Sequence, residues 1–159
     1  MKKLFMITIG GKTDKSNIEV HDIRFVASQS IEGTYESLKS TWFGTEKSLH
    51  IDRYQIINQV DGYDISLSDK ASDIKLYMVN LGGNEKASYL EWHKNLLIAS
   101  RSKSEAIDLA TKAYKDIKDL HLDNIVDIND VLQGQEKIHL KPSETVTLNK
   151  EFIGYMKIR

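Results

Sequence analysis

The chain has 159 residues, 40% of them hydrophobic and 28% charged, with 22 Lys and Arg against 23 Asp and Glu. That is the composition of an ordinary soluble globule, long enough for one domain or two tightly packed half-domains, and its balanced charge argues against nucleic acid as a partner. With no cysteine, disulfides, thiolate-ligated zinc and thiol nucleophiles are excluded, which fits a cytoplasmic setting.

Residues 3–11 read KLFMITIGG, with Phe5, Ile7 and Ile9 on one face and Leu4 and Met6 on the other. Apolar residues on both faces predict a central strand covered on both sides. The run is too short for a membrane span and recurs in mid-chain as KLYMVNLGG over residues 75–83, so it reads as a core strand and not as a leader. No membrane partner is expected.

The repetition keeps its register beyond this segment. Gly10 and Gly11 recur as Gly82 and Gly83, Glu19 and His21 as Glu91 and His93, and Ala27 and Ser28 as Ala99 and Ser100, each at an offset of 72 residues. Leu49-His50-Ile51-Asp52 returns as Leu120-His121-Leu122-Asp123 at an offset of 71. A period this long with two copies predicts a tandem duplication closing on itself, not a solenoid.

After each Gly-Gly pair come polar loops at residues 12–17 and 84–88, then alternating strands at residues 18–28 and 90–100. Helices follow. Ser102 and Glu105 form a capping box ahead of Ile107, Ala110 and Tyr114, and Ser30 is expected to cap the helix carrying Tyr35, Leu38 and Trp42. Gly33 weakens that first helix by about 1 kcal/mol. Further strands are expected from the Leu-His segments and at residues 63–67 and 137–140.

The fold expected is therefore α+β: two tandem β-β-α-β-β repeats packed with approximate two-fold pseudo-symmetry, over residues 1–72 and 73–141. Residues 142–159 follow as an extension whose β-prone segment 152–158 forms a terminal strand. Such a strand must pair, either within the chain or across a homodimer to which Trp92 would contribute.

The residues that could carry chemistry are the repeated pairs Glu19 and His21, His50 and Asp52, Glu91 and His93, and His121 and Asp123. Residues two apart on a strand share a face, so each pair presents an imidazole beside a carboxylate. Histidines beside acidic residues at strand ends are commonly structural. If they converge, however, each half gains two nitrogens and two carboxylates that suit a ligand or a divalent ion.

Gly11-Lys12-Thr13 lacks the first glycine and the following helix of a phosphate-binding loop. No other catalytic motif stands out, so no cofactor is called for and no resident metal is assigned. The leading expectation is a non-enzymatic ligand-binding or regulatory module whose partner is a small molecule or a protein. The alternative is a small metal-assisted hydrolase using the four pairs.

The order of the Leu-Phe-Met start, the Gly-Gly pair, Glu-x-His and Leu-His-Ile-Asp resembles a bacterial family known as domain of unknown function 1543. Residues 3–67 and 75–140 would be its two units. The resemblance implies a bacterial cytoplasmic protein, and no activity or site residue comes with it.

Overall fold

A computed structural model of the chain describes residues 1–86 and 88–158. Ala87 in the second polar loop and Arg159 at the end of the terminal segment lie outside the described residues. The architecture is α+β. Strands β1 (Lys3–Gly11) and β6 (Lys75–Asn84) are the centres of two antiparallel sheets. Between β2 (Val20–Ser28) and β3 (His50–Ile56) lies β1, while β6 lies between β7 (Trp92–Ser100) and β8 (Lys118–Asp127).

The two faces of each central strand are buried for different reasons. Phe5, Ile7 and Ile9 pack with Val26, Ile31, Leu38 and Ile51 beneath α1 (Tyr35–Thr41). Tyr77, Val79 and Leu81 pack with Ile98 and with Ala106 and Ala110 of α2 (Lys103–Ala113). The opposite faces meet each other: Leu4, Phe25 and Ala27 from the first sheet join Leu76, Met78 and Leu97 from the second in one apolar cluster. Each helix thus covers the outer face of its own sheet. Full burial of each large side chain here contributes about 1.5–3 kcal/mol.

The two helices start differently. Ser102 accepts from the backbone N–H of Glu105 at 3.2 Å while Glu105 accepts from that of Arg101 at 2.8 Å, so the expected cap forms. In the first half the chain enters through a 3-10 turn, Glu32–Thr34, where Ser30 reaches the N–H of Gly33 at a long 3.4 Å. The resulting α1 has 7 residues against 11 in α2. Trp42 sits just past its end in extended backbone, with its indole N–H donating to the Thr45 carbonyl at 3.2 Å.

A third sheet spans the two halves. Strands β4 (Gln59–Val60), β5 (Tyr63–Ser68) and β9 (Lys137–Pro142) lie in the order β4-β5-β9, with Tyr63 opposite Pro142 and Ser68 opposite Lys137. The short helix α3 (Ile128–Val131) follows β8, capped by Asp127, which accepts from the N–H of Asn129 at 3.1 Å. Lys75 also donates to this buried carboxylate, at 2.8 Å. The terminal strand β10 (Lys150–Lys157) pairs antiparallel with β3, so its partner lies within the chain. No helix among the described residues is long and apolar enough to cross a membrane.

Candidate functional site

Gly10 stands opposite His21 on β2 and opposite His50 on β3, which puts both imidazoles on the face that looks toward the second sheet. Gly82 stands opposite His93 and His121 in the same way. The register then shifts at the same point in both sheets. Ile9 pairs with Ile51 and Thr8 with Arg53, leaving Asp52 as the extra residue of a β-bulge. Leu81 pairs with Leu122 and Asn80 with Asn124, leaving Asp123. A bulge re-aims the side chain at its extra residue, and here it turns each aspartate toward the histidines.

Glu19 and Glu91 lie just ahead of β2 and β7, not on strands as expected, yet both reach the same clusters. In the first set, Nε2 of His21 lies 3.1 Å from Glu19 Oε1 and 3.5 Å from Asp52 Oδ2. His50 Nε2 lies 3.1 Å from Glu19 Oε1 and 3.2 Å from Asp52 Oδ1. In the second, His93 Nε2 is 3.4 Å from Glu91 and 3.3 Å from Asp123, while His121 Nε2 is 3.1 Å and 3.2 Å from the same residues. All eight residues singled out in the sequence therefore fall into two four-membered sets, each histidine facing both carboxylates of its own set.

The other ring nitrogens fix the chemistry. Nδ1 of His50 meets the Ser48 carbonyl, and Nδ1 of His121 that of Asp119, both at 2.8 Å. A carbonyl can only accept, so Nδ1 carries the hydrogen and Nε2 of the neutral ring is a lone pair pointing at carboxylate oxygens. The Asp119 carbonyl is the largest cause of a raised His121 pKa, with the Asp123 and Glu91 charges adding to it against a desolvation that lowers it. Asp52 Oδ2 is buried with no hydrogen-bond partner. Donor atoms of Glu19, His50 and Asp52 all lie within 4.8 Å of one another.

Both central glycines leave room for this crowding. A Cβ on Gly10 would stand 2.8 Å from Asp52 Oδ2 and from Glu19 Oε1, and one on Gly82 would stand 2.6 Å from His121 Nε2. Beside the first set, the gap between the sheets opens into a cleft of about 320 Å³ lined by Thr8, His21, Ile23, Met78, Asn80, Asn95 and Asn124 among others. Sequence reasoning missed the backbone acceptors at Ser48 and Asp119, which no side-chain pattern marks. It also missed Tyr155, whose ring stacks on His50 at a centroid distance of 4.4 Å.

Residues 16–67, the stretch that holds Glu19, His21, His50 and Asp52, match the family model described as Domain of Unknown Function (DUF1543). Over its full length the chain is similar to a protein of known crystal structure, Il1583 from Idiomarina loihiensis. The TM-score is 0.77 at 27% identity, covering 100% of this chain and 99% of that one. No curated protein matches.

Proposed function

We propose that this is a metal-binding module, a tandem duplication in which each half holds one divalent transition-metal cation. The ligands are Glu19, His21, His50 and Asp52 in the first half and Glu91, His93, His121 and Asp123 in the second. The observation that carries the reading is the separation of Nε2 and carboxylate oxygen, 3.1 to 3.5 Å in both sets. Ligand atoms held about 2.0–2.2 Å from a common ion, at angles between octahedral and tetrahedral, stand roughly 3.0–3.5 Å apart.

A lone pair facing two carboxylates calls for a positive charge between them; a proton supplies it one ring at a time, as the raised His121 pKa reflects, whereas a dication supplies it for both imidazoles at once. The Nδ1–H to carbonyl bonds are the outer contacts that orient metal-bound histidines. A donor set of two nitrogens and two oxygens without sulfur suits Zn²⁺, Fe²⁺, Co²⁺ or Mn²⁺. Duplication is supported by the same pairing register in both sheets, with Lys3 opposite Ser28 and Lys75 opposite Ser100.

Binding stands ahead of metal-assisted hydrolysis because every imidazole and carboxylate of a set serves as a ligand, leaving none to take a proton from bound water. The cysteine-free composition is compatible with a reducing cytoplasm. The test is to equilibrate the purified protein with Zn²⁺ or Mn²⁺, remove free ion by dialysis, and count bound ion by mass spectrometry. Two equivalents are expected, falling to one in His50→Ala and one in His121→Ala; a protein that retains none is not a metal-binding module.

A further inference from the structure

The two sets share their residues but not their surroundings. On β3, Met156 and Lys157 of β10 stand opposite Ile51 and His50, and Ile153 stands opposite Arg53. Gly154 and Tyr155 form a bulge opposite Asp52, with Gly154 at φ +146°, a conformation that favours glycine. This bulge lays the Tyr155 ring on His50 with 29° between the planes. Among the described residues β8 has no such neighbour, because its sheet ends there.

The consequence is confined to one imidazole. The His50 side chain is 5% exposed and that of its counterpart His121 is 46% exposed, whereas His21 and His93 stand at 53% and 47%. An ion in the first set would be roofed on the His50 side by Tyr155. In the second set the same side is open to water.

Resting on the metal reading above, we propose that the two sites are of different kinds. The first is a slowly exchanging structural site that braces β10 against β3. At the second, the ion keeps a coordination position open to solvent and takes a small oxygen donor there. Two imidazoles and two carboxylates already fill four positions, so the donor taken at the open one is small, water or a monocarboxylate. Open positions of this kind separate reactive metal sites from structural ones.

The full chain loaded with Co²⁺ decides it by two readouts. Release to excess chelator should be biphasic, one equivalent in each phase, with rates at least about tenfold apart as expected when an ordering contact is present at only one of the two sites. Tyr155→Ala should accelerate the slow phase alone, Tyr155→Phe should leave it slow, and Asp123→Asn should remove the fast phase. If Tyr155→Ala does not fold, Tyr155→Leu takes its place with the same expected acceleration. Acetate should perturb the visible Co²⁺ spectrum of the wild type and of Asp52→Asn, and should leave that of Asp123→Asn unchanged. Two bound equivalents released at one rate, or a slow phase lost with Asp123→Asn, would overturn the inequivalence and leave the metal reading standing. A protein that binds no Co²⁺ overturns both.

Discussion

A methyl group on Gly82 would arrive 2.6 Å from His121 Nε2 and 2.7 Å from Asp123 Oδ2, closer than real Cβ contacts come. Both obstacles are ends of side chains, so Gly82→Ala should fold and shift the donors instead. The expected result is a second-site affinity lower by at least the roughly 10–100-fold that losing an ordering contact costs, with the first site unaffected. Titration calorimetry of the variant, with circular dichroism as the folding control, checks it. The eight clustered residues stood out in the sequence because each set is written twice at nearly constant offset. Their convergence was not, because it depends on bulges at Asp52 and Asp123, and a one-residue shift in pairing leaves no mark in composition or periodicity.

Lys75 and Asp127 make a second prediction at this scale. Asp127 is 3% exposed and both accepts from Lys75 and caps α3. Removing the ammonium with Lys75→Met leaves the buried carboxylate short of a partner, at a cost of about 1–3 kcal/mol in urea unfolding. The hydrogen bond to Asp127 raises the lysine pKa. A group with a raised folded value contributes fully below its unfolded pKa and loses that contribution as pH rises through the folded one. The difference between wild type and Lys75→Met should therefore be full at neutral pH and shrink only in the alkaline range above the ordinary lysine value of 10.5.

Elements repeat the lesson. The central strands were readable because apolar residues on both faces have few other homes, and α2 because Ser102 and Glu105 cap it in the expected way. Helix α1 was overestimated, since Gly33 and the absence of a side-chain cap at Thr34 leave its first turn to a 3-10 geometry. The partner of β10 could not be read from the chain, because strand pairing across about a hundred residues is settled by the faces available and not by local pattern. Deleting residues 150–159 uncovers β3, whose N–H and C=O groups then face solvent along one edge. Light scattering should find the truncated protein more self-associated than the full chain, and its first cation should exchange as fast as the second.

The molecule as a whole is built around the cluster that joins Leu4 and Phe25 to Leu76, Ile138 and Leu140. Since the inner faces of both sheets end in this one core, the halves should melt together. Trp42 reports on the first half and Trp92, tilted against Tyr114, on the second. Single-tryptophan variants should give coincident midpoints, and Leu76→Ala, at a site with 0% exposure, should lower both by the same amount, about 2–5 kcal/mol in stability. Two separate transitions would mean that each half stands alone. The sequence carries the two halves plainly but not their union, because strands at residues 63–67 and 137–140 look alike whether each joins its own half or pairs with the other.

That pairing of β5 with β9 also sets a timetable. When Tyr63 to Ser68 leave the ribosome, the strand that will lie beside them, Lys137 to Pro142, has not yet been made. The newborn first half must hold an unfinished strand through the synthesis of about seventy further residues, and contacts this distant in sequence are the slow ones to form. Completion of the fold is thereby deferred until almost the whole chain has emerged.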